Sequence, residues 1–461
     1  MEILLSTIPV FLLGTGFFYI FKLKGFYLLH PIRTCRSAFK KSRTTGVSPV
    51  KALTMALAGT LGVGNIVGVA TALYLGGPGA VFWMVFSALI AMVLKYAEIC
   101  LAVRHRRYHS DGQPEGGAPY YIKDGLTALG LPQAGRCLSA IFAALCLINT
   151  FTMGSMLQAN AVAGALDHSF HIPLWVTGMS IAVTCLLVTR GGARRIAALT
   201  EKMIPLMTLG FLGLCAAVLI LRHERIGSAV RDIFASAFNF SGMGGGVMGF
   251  LTSAGVRYGI MRGLVSNEAG CGTAPMAHAV ADTEGPAAQG VLGLVEVFVD
   301  TVLLCTVTAL AILVSDSGYQ AFGEDGVRTA QSAFSSVLGS CAGWFFAISI
   351  LFFGLATVLC WAHYGMTSVG AMLSGKARWR ALGEAAFPWM YAASVMAGTL
   401  IAPRGVWFLA DGALGIMTLL NLLVLVLMHR EVSEETALFF AKSSPRRKKR
   451  VANPSTPKNN V

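Results

Sequence analysis

Two short stretches of this 461-residue chain gather glycine and small polar residues where a bound molecule could meet bare backbone. The first holds Gly59, Gly62, Gly64, Asn65 and Gly68; the second runs from Arg262 through Gly263, Val265, Ser266, Asn267, Glu268 and Gly270 to Gly272, with Pro275 beyond. A helix broken at such a stretch exposes N–H and C=O groups, which apolar surroundings tolerate only where they line a cavity or are buried in protein. A molecule with both a carboxylate and an ammonium complements them: the carboxylate accepts from half-helix N–H groups and the ammonium donates to carbonyls. Leu61 to Asn65 and Val265 to Gly270 are expected to supply both sets.

Further candidates lie outside these stretches. Gln158 and Asn160 follow Thr150, Thr152 and Ser155 as a polar stripe in an apolar segment. Such amides either contact a bound molecule or join helices at about 0.6 kcal/mol each. Lys95 and Glu98 stand three apart and are expected to pair. Glu296 and Asp300, four apart, share a helix face and could act as a gate or an ion relay; pairing with Arg257 and Arg262 is the preferred reading. Glu268 is expected to be a gating or structural carboxylate.

Enzyme signatures are absent. The chain has no Gly-x-x-x-x-Gly-Lys-Ser/Thr loop for a nucleotide and no His-Glu-x-x-His metal helix. The ten cysteines are scattered through apolar sequence without a Cys-x-x-Cys pair and imply neither a disulfide framework nor a metal centre.

The elements that must carry these residues follow from composition. Hydrophobic residues make up 55% of the chain and charged residues 13%, with a mean hydropathy of +0.66; soluble domains carry about 25% charged residues. The apolar residues fall into blocks near 4–21, 50–73, 80–103, 137–165, 172–189, 203–221, 242–264, 288–314, 341–362, 383–402 and 405–428. Each is about the length that crosses 30 Å of hydrocarbon as helix. The spacing predicts an all-α integral membrane protein of about eleven spans, the first retained and not a cleaved leader. Expected divisions are an extra helix with a basic loop over 1–49, a core over 50–428 and a basic tail over 429–461.

Glycine often forms a close-packing face in membrane helices, so one glycine-rich span signifies little. Two such spans, five apart in order, predict a five-plus-five inverted repeat whose first helix in each half is broken.

The net charge of +14 is laid out for a bilayer, not for nucleic acid. Basic clusters follow the first span (Lys22 to Lys51), the third (Arg104 to Arg107), the fifth (Arg190 to Lys202) and the ninth (Lys376 to Arg380), and another lies in the tail (Arg446 to Arg450). These loops alternate, which predicts a plasma-membrane protein with its N-terminus outside and its C-terminus in the cytoplasm. Arg222, Arg225 and Arg231 run against the pattern, on an expected outer loop.

Longer motifs bring a resemblance into view. Leu61-Gly62-Val63-Gly64-Asn65-Ile66, Gly76-Gly77-Pro78-Gly79-Ala80, Lys95-Tyr96-Ala97-Glu98, Gly116-Gly117-Ala118-Pro119-Tyr120-Tyr121, Gln158-Ala159-Asn160, Arg262 to Gly272 and Ala274-Pro275-Met276-Ala277-His278-Ala279 together resemble the alanine or glycine:cation symporters. These belong to the amino acid, polyamine and organocation carriers with a five-plus-five fold. The resemblance implies symport of alanine or glycine with sodium. It implies a substrate pocket of Val63, Gly64, Asn65, Val265, Ser266 and Asn267, flanked by Gln158 and Trp361, and a sodium ion held by carbonyls of Ala58 and Leu61 and the hydroxyl of Thr357.

Several positions depart from the family pattern. Val265 replaces a Phe, which enlarges the pocket and leaves room for a substrate larger than alanine. Ser155 replaces an Asn. Ala356 replaces a Ser and removes one candidate sodium ligand. His363 and Met366 stand for Tyr and Glu. The alternatives are a proton-coupled carrier of the same fold, with His363 or Glu268 titrating, and an amino acid sensor without transport. The expected partners are a small amino acid and the lipid bilayer; no obligate protein partner is implied.

Overall fold

The computed structural model describes residues 2–29, 31, 46–108, 112–238 and 253–443. Each of the eleven expected blocks falls on a described helix; the seventh is seen only from Ala254, since 242–252 lie outside the described residues, as do most of the first basic loop and the tail beyond 443. Among the described residues, six helices are long and apolar enough to cross a bilayer singly, and the pair Pro49–Thr60 and Val63–Gly76, bent by 62°, makes a seventh. Leu206, Leu209, Ile220, Trp389 and Phe408 stand exposed on the outside of the bundle. Such a surface suits lipid.

Both breaks occur where the sequence places them. Ser48 caps the first helix, its Oγ accepting from Lys51 N at 3.3 Å, and Pro49 occupies its first turn. At Leu61 the chain leaves the helix, Gly62 is extended, and a 3₁₀ turn over Val63–Asn65 leads into Val67–Gly76. The second break follows Ala254–Asn267. Glu268, Gly270 and Gly272 all have positive φ (52°, 92° and 79°), after which Pro275 opens the short helix Pro275–Ala279. Gly272 has no alternative, because a Cβ there would also lie 2.8 Å from Ala118 Cβ and 2.9 Å from Phe142 Cζ.

The long helix Gly79–Arg104 lies against Ala254–Asn267 and Pro286–Val297 and holds the two halves together. Glycines set the approach: a Cβ on Gly259 would come within 2.4 Å of Ala80 O, and one on Gly293 within 2.3 Å of Ile99 Cδ1. Two further helices lose α geometry locally. Pro132–Phe170 passes through a π-helical turn at Thr152–Met156, and Pro286–Val314 through another at Phe298–Cys305. Where an outer loop was expected, His223–Ala237 is an amphipathic helix; Arg222 and Arg225 both bind Asp316, Arg225 at 2.8 Å.

Candidate binding site between the broken helices

The first break meets Gln158 and Thr357. Gln158 Oε1 accepts from Val63 N at 3.1 Å while its Nε2 donates to Met153 O in the neighbouring π-turn at 3.2 Å, so one amide satisfies two strands of irregular backbone. Thr357 Oγ1 lies 2.9 Å from Ala58 O and 3.0 Å from Phe353 O. Gly62 passes so close that a Cβ would sit 2.7 Å from Thr357 Oγ1 and 2.9 Å from Gln158 Oε1.

Opposite, Val265 faces Gly64: a Cβ on Gly64 would be 3.8 Å from Val265 Cγ1. The space between them is about 10 Å³, lined by Gly59, Gly62, Val63, Gly64, Gln158, Val265 and Trp407 among others. That is the scale of one water, so the two broken helices must separate before a larger molecule fits. Val63, Leu157 and Trp407 also line a second cavity of about 510 Å³, which opens toward Asp167, Glu324 and Arg404. Trp407 thus stands between cavity and site. Its ring is stacked 4.6 Å from the guanidinium of Arg262, which lies 3.7 Å from Asp411. At the arginine-rich end a third cavity, about 720 Å³, is lined by Arg106, His363, Met366 and Arg380.

The second break is held by buried side chains. Glu98 Oε1 accepts from Gly272 N at 2.8 Å and from Asn421 Nδ2 at 2.5 Å; Asn421 Nδ2 also donates to Gly270 O at 2.9 Å. Ala269 N donates to Asn267 Oδ1 at 3.0 Å, and Thr273 Oγ1 to Glu268 Oε2 at 2.5 Å. Beneath it, Lys95 Nζ lies 3.3 Å from Glu296 Oε1 and His278 Nε2 2.9 Å from Glu296 Oε2, all three side chains fully buried. These contacts correct the expected pairings: Lys95 reaches Glu296 and not Glu98, and Glu296 and Asp300 meet neither Arg257 nor Arg262. Arg257 instead lies over Tyr258.

The match to known proteins agrees with this architecture. Residues 2–453 match the Sodium:alanine symporter family. The chain belongs to that family. It is 34% identical to the sodium/alanine symporter of Methanococcus maripaludis over 439 residues, covering 93% of each chain. A putative sodium/proton-dependent alanine carrier of Bacillus subtilis is 32% identical over 96% of this chain and 90% of its own. Among solved structures, a manganese transporter of Eremococcus coleocola superimposes with a TM-score of 0.50 at 15% identity, over 84% of this chain and 78% of that one. That likeness concerns the fold alone. This member of the sodium:alanine symporter family is therefore a multi-pass membrane transporter of the amino acid symporter type and not an enzyme.

Of the residues singled out in sequence, Val63, Gly64, Gln158 and Val265 line the small cavity. Asn65, Ser266 and Asn267 turn away from it toward the π-turn at Phe298–Cys305. Asn65 Nδ2 donates to Asp300 Oδ1 at 2.7 Å, Ser266 Oγ to Asp300 Oδ2 at 2.6 Å, and Asn267 Nδ2 to Thr301 Oγ1 at 3.1 Å. Trp361 is fully buried behind the cavity, packed so tightly on Gly154 that a Cβ there would be 2.4 Å from its own Cβ. Ala58 O and Thr357 Oγ1 are together, with Leu61 completing the turn beside them. Asn160 joins helices, donating to Gly398 O at 3.0 Å. Trp407 and Asp411 join the site only in the structure; a tryptophan in an apolar block gives no signal of its own, but an aspartate at the seventh position of the 405–428 block does.

Proposed function

We propose that this chain imports a small neutral amino acid, alanine or glycine with room for a larger side chain beside Val265, together with sodium. The observation that carries the reading is the convergence of two broken helices on one cavity, with Gly64 and Val265 facing each other across it. In this reading the substrate carboxylate takes the N–H groups of Gly64 and Asn65, beside Val63, in the electropositive field of the half-helix Val67–Gly76. The ammonium takes carbonyls around Val265, Ser266 and Asn267. Gln158 holds the first break open by occupying Val63 N, and Trp361 supports the wall from behind.

Sodium sits between the carbonyls of Ala58 and Leu61 and the Thr357 hydroxyl. The ion takes the oxygen lone pairs and the Thr357 proton turns to Phe353 O, already 3.0 Å away. Trp407, stacked on Arg262, closes the site toward the exterior, and the arginine-rich cavity is the route to the cytoplasm. Residues 50–428 form the carrier core, flanked by the extra helix with its basic loop over 1–49 and the cytoplasmic tail over 429–461, with the N-terminus outside.

Counterflow of labelled alanine, glycine and glutamine in proteoliposomes, with and without sodium, tests the reading. Alanine or glycine should exchange in sodium and cease in its absence. Exchange in sodium-free buffer that follows an imposed pH gradient would establish the proton-coupled alternative instead.

A further inference from the structure

The basic residues that end the helix Gly79–Arg104 hold different things. Arg104 and Arg107 meet carboxylates, whereas Arg106 is bonded to backbone: its Nη1 donates to Ala281 O at 2.5 Å and, more weakly, to Ala279 O at 3.4 Å. These carbonyls belong to the end of the short helix Pro275–Ala279 and the turn after it, where intrahelical donors run out and a guanidinium serves instead. The same turn is joined to the first broken helix. Asp282 N donates to Val47 O at 2.7 Å, and Val47 pairs with Ala281 just before Ser48 caps Pro49–Thr60. Arg106 therefore holds a turn shared by the inner halves of both broken helices. The fit is close, since a Cβ on Gly116 would lie 2.8 Å from Ala279 Cβ and 3.0 Å from Arg106 Cβ.

Two further observations bear on this contact. Arg106, Val47, Ala281 and Asp282 line the arginine-rich cavity, and among the described residues none lines both that cavity and the small one between the breaks. Pro49–Thr60 runs from Val47 at the first cavity to Gly59 and Thr60 at the second, so the inner half-helices stand between them. Independently, the C-terminal helix His429–Ser443 fixes the two residues before Arg106. Glu431 Oε2 accepts from Arg104 Nε at 2.9 Å and from His105 Nε2 at 2.8 Å, and Glu435 Oε1 from Arg104 Nη1 at 3.0 Å. Tyr96 and Thr436 join the same two helices through their hydroxyls, 2.8 Å apart. Exposed ion pairs are weak singly; several on adjacent residues, backed by a buried bond, act as a set.

We infer that Arg106 is a positioning residue of the transport cycle, the latch that keeps the inner half-helices closed over the arginine-rich cavity, and that the C-terminal helix holds this latch in place. The inference rests on the reading of that cavity as the route to the cytoplasm. When Arg106 lets go, Val47 and the turn at Ala281 leave together, because they are bridged to each other. Pro49–Thr60 then moves off Cys360, a buried residue whose Sγ lies 3.0 Å from Met55 O on that half-helix.

Cys360 is thus a native reporter of the opening. The test is the rate of its alkylation in the purified full-length protein without substrate or sodium, resolved from the other cysteines by peptide mass spectrometry. Arg106→Ala should raise the rate roughly tenfold or more, the scale of one lost hydrogen bond to a charged group. Arg106→Lys, which keeps the charge but not the fork, should raise it several-fold and carries the test if Arg106→Ala does not fold. Replacing Glu431 and Glu435 together by Gln should also raise it several-fold, yet add nothing in the Arg106→Ala background. Cys215, buried on Gly192–Leu221, should react as in the parent throughout. Unchanged Cys360 reactivity in both Arg106 variants would overturn the latch, and an equal rise at Cys215 would reduce Arg106 to a structural contact. Effects of the Glu replacements that add to those of Arg106→Ala would overturn the part given to the C-terminal helix. Because the assay contains neither sodium nor amino acid, these failures are distinct from a failure of sodium-coupled import in the counterflow experiment.

Discussion

Substituting two glycines of the first break separates what is needed to build the site from what is needed to use it. Gly62 has φ −96°, open to any residue, so crowding alone fixes it. A Cβ there would lie 2.7 Å from Thr357 Oγ1 and 2.9 Å from Gln158 Oε1. Neither atom can yield freely, since Thr357 is bonded to Ala58 O and Gln158 to Val63 N. Gly62→Ala should therefore cost about 1–3 kcal/mol of overpacking, plus about 1 kcal/mol for each hydrogen bond broken. Both thermal stability and sodium dependence should suffer. At Gly64 a Cβ meets nothing nearer than Val265 Cγ1 at 3.8 Å, so the protein should fold as before. Gly64→Val, however, adds three carbons to a space of about 10 Å³ that must open for substrate. If that overpacking, again about 1–3 kcal/mol, falls on the loaded state, alanine binding weakens about 5- to 150-fold. The assay is uptake of labelled alanine by proteoliposomes, paired with thermal unfolding of each variant in detergent. A Gly64→Val protein with the parent's half-saturation for alanine would remove Gly64 from the substrate site, and a Gly62→Ala protein with the parent's stability and sodium dependence would show that Gly62 is not held by crowding.

Val265→Phe should narrow the substrate range toward glycine and alanine by roughly tenfold in relative rates, a pocket change being worth about 1–3 kcal/mol; identical competition profiles for alanine, serine and glutamine would remove Val265 from the pocket. Ala356→Ser should lower the sodium concentration for half-maximal uptake by restoring a hydroxyl beside Thr357, and Thr357→Ala should raise it steeply, with substrate selectivity unchanged in both. Trp407→Ala should open the site to the 510 Å³ cavity and release Arg262 from its ring; modification of a cysteine placed at Gly64 in that background should proceed faster than with Trp407 intact.

The spans were legible because a bilayer demands long apolar runs, and the breaks because glycine clusters twice at matching places. Side-chain partners were harder to see. Glu296 and Asp300 share a face only if the helix stays α between them. The π-turn beginning at Phe298 changes that geometry: Glu296 is bonded to Lys95 and His278, while Asp300 is bonded to Asn65 and Ser266. Lys95 and Glu98 were misjudged for a related reason, since three-residue spacing describes an isolated helix. Here Lys95 finds Glu296, 201 positions away, and Glu98 finds the irregular backbone at Gly272. The basic residues near 222–231 are anomalous only as a loop; they lead into and lie on an amphipathic helix, and Arg222 and Arg225 share Asp316 as a partner.

The most direct test of sodium-coupled amino acid import is accumulation of labelled alanine by proteoliposomes under an inward sodium gradient with no pH difference. Sodium-coupled import gives transient accumulation above equilibrium, abolished when the sodium gradient is collapsed by an ionophore and absent in Gly64→Val. Failure of the sodium gradient to drive accumulation, with a pH gradient succeeding in sodium-free buffer, would contradict it.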